Sequence, residues 1–255
     1  MVKVIADFKI TRVGPASCWV VKAAVVRKTE KPCALFIWTK KEVEEGAGIG
    51  NAFGFGKDKV QLQKELLWFE KTLVFEVKQL SKLRFPNILK VMDPLVTNDY
   101  FLAFSSEPIV WNLHDLLVSH SNPSTILHDS DSHLDDVDIQ AGLIQICKAL
   151  DFLHKNEILH LCLSPECIFI DEKGDWKLAG FTYSRKLGTK CSIDTLPYTM
   201  PSLAYLAPEI LLEKEATILS DTFSFGSLIY SIFNSSKSFT NTAEVSLYIE
   251  EVKKG

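Results

Sequence analysis

The chain has 255 residues, of which 47% are hydrophobic and 24% charged, and its formal net charge is −4. That apolar content is enough for one large domain or two lobes with substantial cores, which excludes disorder as the default. The mildly acidic balance argues against a dominant electrostatic attraction to nucleic acid or anionic lipid, and neither partner is expected.

Six cysteines (Cys18, Cys33, Cys147, Cys162, Cys167 and Cys191) form no C-x-x-C pair, and the opening Met1-Val2-Lys3-Val4-Ile5-Ala6-Asp7 lacks the apolar core of a secretory signal. A reducing, cytoplasmic compartment is expected. The longest apolar stretch near the end, Phe223 to Phe233, is interrupted by Ser and Gly and is shorter than the roughly 20 residues that cross a bilayer. Membrane association is therefore expected to be peripheral and mediated by partners.

Short β-rich runs at Asp7 to Val13, Trp19 to Val26 and Cys33 to Trp38, punctuated by Gly14-Pro15 and Glu30-Lys31-Pro32, predict an antiparallel meander. Residues 39 to 56 are charged and then Gly-rich, as a flexible surface loop would be. Next, Leu62, Leu66, Phe69, Leu73, Val77 and Leu80 recur at intervals of three and four, which predicts a long helix with one core-facing stripe. Arg84-Phe85-Pro86-Asn87-Ile88 ends it.

Two strands are expected at Leu89 to Met92 and Tyr100 to Phe104, followed by a link at Ser105-Ser106-Glu107-Pro108. A short helix around Leu113 to Leu117 precedes an acidic stretch from Ser119 to Asp138, read as solvated surface with an Asp near position 135 capping the next helix. That helix, Val137 to Lys155, has the apolar face Leu143, Ile146, Ala149, Leu150 and Leu153. It leads into His160-Leu161-Cys162-Leu163-Ser164-Pro165-Glu166-Cys167. A strand at Asp175 to Leu178 then runs into Ala179-Gly180-Phe181-Thr182, with Ala207-Pro208-Glu209 and Asp221-Thr222-Phe223-Ser224-Phe225-Gly226 beyond. The last opens a helix that is apolar nearly all round, as a core element would be.

These spaced segments, in this order, resemble the protein-kinase fold over nearly the whole chain. Within that fold the chain resembles the SCY-like pseudokinase family, and most of all its coated-vesicle-associated branch. The resemblance is carried by Ala34-Leu35-Phe36, Gln79-Leu80-Ser81-Lys82-Leu83-Arg84-Phe85-Pro86, Leu102 to Pro108, Trp176 to Phe181 and Tyr205-Leu206-Ala207-Pro208-Glu209. It implies an α+β, bilobal architecture. Residues 1–106 form a small antiparallel sheet with one long helix and the flexible loop at 39–56, and residues 107–255 form a mainly helical lobe truncated at its end. The arginine that pairs with the counterpart of Glu209 would lie past residue 255. The chain is thus expected to be a fragment or truncated gene model that exposes apolar surface.

The resemblance also implies that the chemistry has been removed station by station. An active loop reads H-R-D-L-K-P-E-N; here the base is Cys162, the phosphate-facing lysine Ser164 and the metal-binding asparagine Cys167. The Mg²⁺-binding aspartate is Gly180, and the lysine that grips the phosphates is Phe36. The frame G-x-G-x-x-G-x-V becomes Gly14, Ala16, Trp19 and Val21, so Trp19 blocks close backbone approach to a phosphate. Mg²⁺ prefers oxygen ligands, which neither Gly180 nor the Cys167 thiol supplies. No catalytic residue and no metal site is expected, and each lost charge-stabilising group typically costs about 10²- to 10³-fold in rate.

Blander readings accompany these positions. Lys22, Lys40 and Lys41 are exposed side chains rather than substitutes for the missing lysine. Glu76, nine residues before Phe85 on the long helix, makes a surface or rerouted ionic contact. Cys162 is a small buried residue, since no ligand set accompanies it and a free thiol titrates near pH 8.5. His160 belongs to the structural spine of the loop, and Asp221 is expected to hydrogen-bond the loop backbone. Two functions compete. One is a non-catalytic scaffold without a cofactor, which the resemblance ties to vesicle traffic on Golgi, endosomal or coated-vesicle membranes with clathrin or adaptor and coat complexes as partners. The other is an atypical kinase or nucleotide-gated scaffold that binds ATP weakly, holding adenine between Val21, Ala34 and Phe169.

Overall fold

The computed structural model describes residues 2–4, 19–26, 29–40, 59–121, 134–189, 203–212, 215–234 and 250. The expected strand Asp7 to Val13, the turn at Gly14 and Ala16, Lys41 and nearly all of the Gly-rich stretch lie outside these residues.

Five antiparallel strands form the first sheet: β1 (Val2–Val4), β2 (Val20–Val26), β3 (Pro32–Thr39), β4 (Val91–Thr97) and β5 (Phe101–Ser106), in the order β1-β2-β3-β5-β4. The register places Val21 opposite Phe36, and Phe36 opposite Phe104. Alternation along β3 turns Ala34, Phe36 and Trp38 inward while Leu35, Ile37 and Thr39 face outward. β4 is longer than the Leu89–Met92 run and lies two residues later. It is an edge strand with two register irregularities around Pro94, and an edge is where a residue lacking N–H is tolerated.

Helix α1 (Lys59–Lys82) packs its stripe of Leu66, Phe69, Leu73, Val77 and Leu80 against the inner face of the sheet, with Phe69 5.6 Å from Trp38 between ring centroids. The segment that ends it then hydrogen-bonds to the second half of the chain. Leu178 N–H donates to the Asn87 carbonyl, Leu89 N–H to the Leu178 carbonyl and Asn87 Nδ2 to the Trp176 carbonyl. Phe85 stacks on Phe152 at 4.7 Å. The run from Arg84 to Ile88 is thus a backbone splice between the halves, which fixes where α1 sits relative to β9 and the turn at Gly180.

The second half opens with β6 (Trp111–Asn112) and α2 (Leu113–Ser121), which is longer than the helix expected at Leu113 to Leu117. Helix α3 (Asp136–Lys155) starts at the expected cap: the Asp135 carboxylate accepts from Asp138 N–H, and the reciprocal bond completes a capping box. Its buried residues are Gly142, Ile146, Ala149, Leu150 and Leu153, with Leu143 only half-buried. Gly142 replaces Leu143 in the stripe because the Trp176 indole lies where a Cβ would be. Short strands β7 (Ile158–Leu159), β8 (Ile168–Ile170), β9 (Trp176–Leu178) and β10 (Arg185–Lys186) follow, with β6-β8-β9 and β10-β7 forming two small sheets.

Helices α4 (Pro208–Leu211) and α5 (Ile218–Phe233) complete the described architecture. α5 departs from the expectation of an all-round apolar core helix. Its buried face carries Ser220, Asp221, Ser224, Ser227 and Ser231 beside Leu228 and Ile232, while Leu219 and Phe233 are mostly exposed. Serine is tolerated there because its hydroxyl finds a backbone acceptor: the single Ser224 O–H has the Tyr205 and Ser220 carbonyls as alternative acceptors, and Ser231 donates to that of Leu228. The small side chains let α5 approach the loop at His160 closely enough for Asp221 to reach it.

Candidate functional site

The lysine station on β3 is filled by an aromatic cluster. Phe36 stacks on Phe104 (centroids 4.6 Å, interplanar 17°) and meets Phe169 edge-on at 5.5 Å, while Trp19 packs edge-on against Phe104 at 5.0 Å. Each such pair adds about 0.5–1.5 kcal/mol beyond the burial of its area. Val21, Ala34 and Phe169, the residues read as an adenine sandwich, are 0%, 1% and 1% exposed. They are therefore core neighbours of Phe36, with no free surface of their own.

Glu76 is not on the surface and, among the described residues, pairs with no cation, which corrects the sequence expectation. It is 3% exposed, and its Oε2 accepts from the Trp19 indole N–H and the Thr182 hydroxyl, both at 3.1 Å. Gly180 and Phe181 backbone N–H groups also hydrogen-bond to its carboxyl. Burial pushes the carboxyl above its ordinary range, and these four bonds draw it back. A buried carboxyl without a cation must collect neutral donors, and the splice at Arg84–Ile88 brings α1 against the Gly180 turn where they are found. Of the side chains considered as substitutes, Lys40 and Lys22 do not enter, and Lys41 lies outside the described residues. Lys40 pairs with Glu70 at 2.9 Å, and Lys22 alternates to the strand face opposite Val21.

The loop at His160 is built on Asp221, which is fully buried at the start of α5. Its carboxylate accepts from His160 N–H (2.9 Å), Leu161 N–H (2.8 Å) and His154 Nε2 (2.8 Å). These bonds hold Leu161 at φ +58°, a left-handed conformation that costs an ordinary side chain about 1–2 kcal/mol. His160 Nε2–H donates to the Ala179 carbonyl at 2.8 Å and its Nδ1 accepts from Cys162 N–H at 3.3 Å, so the ring is the neutral Nε2–H tautomer. Burial lowers its pKa, with Asp221 acting in the opposite sense. His160 thereby ties the loop to the strand that precedes Gly180.

The emptied positions pack on one another. Cys162 and Cys167 are 2% and 0% exposed, and the Cys167 thiol donates to the Cys162 carbonyl at 3.0 Å. The hydrogen bond to the Cys167 side chain and then burial raise the Cys162 thiol well above its ordinary value. It is a protonated, enclosed group, unsuited to nucleophilic or metal chemistry. Ser164 is likewise buried, with its hydroxyl 3.7 Å from Cys167 Sγ. Gly180 takes φ +77°, and a Cβ there would overlap the Cys167 sulfur and lie 2.9 Å from its Cβ. The two positions that hold metal in an active kinase thus fill each other's space here, and a carboxylate cannot be added at 180 while Cys167 stands. Among the described residues no cluster of three or more His, Cys, Asp or Glu side chains could hold a metal ion.

Glu209 sits at the start of α4 and accepts from the Ser220 hydroxyl, which ties α4 to the capping box of α5. Sequence reading missed three contributors: Phe104, Thr182 and His154. Alternation along β5 marks Phe104 as inward, but its partner depends on strand pairing. Thr182 and His154 gave no signal, because what they bond lies 106 and 67 residues away in sequence.

The protein kinase domain family matches residues 55–254. Among individual proteins, the chain is 32% identical to the protein kinase domain-containing protein ppk32 of Schizosaccharomyces pombe, over 90% of this chain and 31% of that one. It is 30% identical to human SCY1-like protein 2, over 92% of this chain and 25% of the relative, and 30% identical to the protein kinase-like protein SCY1 of Saccharomyces cerevisiae, over 87% and 29%. The chain spans about a third or less of the length of these relatives. By the matched domain and by these relatives, the chain belongs to the protein kinase domain family, with SCY1-like proteins among its relatives.

Proposed function

We propose that this domain is a catalytically silent interaction module of the kinase fold. By family resemblance it would act as a scaffold in clathrin- or coat-dependent vesicle traffic between Golgi, endosomes and plasma membrane. The observation that carries the first part is Phe36, stacked on Phe104 where an active kinase keeps its phosphate-gripping lysine. Phosphoryl transfer relies on positioned charge, and the groups that stand where it would be supplied are a phenyl ring, two buried thiols and a glycine backed against one of them. The same residues support the absence of a nucleotide cofactor, because adenine would have to displace a packed aromatic cluster.

Its place in the cell, in this reading, is the cytoplasmic face of those membranes, reached through protein partners. Among the described residues no helix is long and apolar enough to cross a membrane. Thermal-shift titration with ATP, with and without Mg²⁺, paired with an assay for γ-phosphate transfer, tests the proposal. The expected result is no shift and no transfer. A Mg²⁺-dependent shift with turnover would overturn it in favour of an atypical kinase, and a shift without turnover would replace it with a nucleotide-gated scaffold.

A further inference from the structure

We infer that the groove between the outer edge of α1 and the segment Thr182–Thr189 is a docking site for an acidic segment of a protein partner that also carries apolar side chains. The cavity has a volume of about 500 Å³. Lys71, Arg185 and Lys186 line it, and among the described residues no carboxylate does, whereas the chain as a whole has a formal charge of −4. A locally cationic recess on an acidic protein selects for the charge of its occupant.

Arg185 adds a second reason. Among the described residues its Nε–H is buried without an acceptor, a situation that typically costs about 1–3 kcal/mol. Arg185 as a whole is only partly buried, so a carboxylate reaching the rest of its guanidinium would make a charge-assisted contact. Lys186 is held at 3.3 Å by Glu157, but both side chains are largely exposed, and a pair of that kind is worth little and exchanges readily. Trp68 and half-exposed Phe75 form an apolar shelf beside the cations, matched to a peptide in which acidic and apolar residues alternate. Three cations on an acidic protein make a poor track for a nucleic-acid backbone.

The groove is separate from the filled nucleotide cleft, so the inference stands whether or not ATP binds. Fluorescence anisotropy would be measured on the 255-residue chain with three labelled probes: a 12-residue peptide alternating Glu with Leu or Phe, its Gln-for-Glu counterpart, and a single-stranded RNA. The Glu peptide should bind, with an affinity that falls as salt rises, and the Gln peptide should bind at least about tenfold more weakly. Lys71→Glu changes an exposed side chain and should weaken Glu-peptide binding about tenfold. Lys173→Glu, on the exposed turn before β9, should leave it unchanged. Arg185→Gln should match Lys71→Glu, once denaturation has shown it to be folded. Equal affinity for the Glu and Gln peptides, indistinguishable Lys71→Glu and Lys173→Glu variants, or tighter binding of the RNA would each overturn the inference.

Discussion

The aromatic cluster around Phe36 and the cradle around Asp221 both occupy ground where an active kinase organises charge, yet opposite forces hold them. The cluster is maintained by apolar area and ring contacts among Trp19, Phe36, Phe104 and Phe169. The cradle is maintained by hydrogen bonds from His160, Leu161 and His154 to one buried carboxylate. The difference follows from what each group must satisfy. A side chain whose partner is a nucleotide has no obligation in a protein that does not hold one, and there an apolar residue can take its place and pack. Backbone N–H groups in a buried loop still need acceptors whatever the loop does, so an acceptor side chain stands at Asp221 while an apolar ring can stand at Phe36.

Removing the carboxylate should have the largest effect. Asp221→Ala leaves two backbone donors and a histidine without their acceptor and releases Leu161 from its left-handed conformation; urea denaturation should show a loss of about 5 kcal/mol. A loss below about 1 kcal/mol would mean that hydrogen bonding does not hold this region. Phe36→Ala should cost about 4 kcal/mol, the usual scale for a deleted core phenyl ring, and the cavity it leaves should let ATP raise the melting temperature where the parent shows no shift. Because the two regions rest on different contacts, the double variant should lose the sum of the single losses to within about 0.5 kcal/mol. A larger coupling would show that they form one unit.

The smallest effect concerns pH, and it joins the two regions through Glu76 and His160. Burial lowers the His160 pKa, so its contribution to stability is present above its ordinary value of 6.5 and is lost as pH falls through the folded value. Burial raises the Glu76 pKa, so its contribution is present below its ordinary value of 4.5 and is lost as pH rises through the folded value. The two therefore oppose each other on acidification from about pH 6.5. Glu76→Gln removes the second contribution, so denaturation midpoints should fall more steeply with acid in the variant than in the parent. Parallel curves would show that Glu76 has the same proton affinity folded and unfolded.

The helices were legible because periodicity reports a face directly: the stripe from Leu66 to Leu80 and the cap at Asp135 are local properties, and both are observed. The replacements at Phe36, Cys162, Cys167 and Gly180 were legible too, since each departs from a fixed pattern at a fixed spacing. What those residues now do was not legible. Glu76 was read as exposed or ionic because its lysine is missing, and nothing near it in sequence announces Trp19, 57 residues before it, or Thr182, 106 residues after it, as donors. α5 was misjudged for a related reason. Composition counts its phenylalanines, whereas the packed face is set by which side the neighbouring loop approaches, and that side holds serines.

By itself, the sequence determined that this chain has the kinase fold and that its charged stations are vacated, because spacing and residue type are written along one dimension. Only the tertiary structure decided how the vacated space is used: Phe36 closed by Phe104, Cys167 set against Gly180, Glu76 turned to neutral donors, and a cationic groove left beside α1. A buried group is satisfied by whatever atoms lie within about 3 Å of it, and those neighbours are fixed by how distant segments pack.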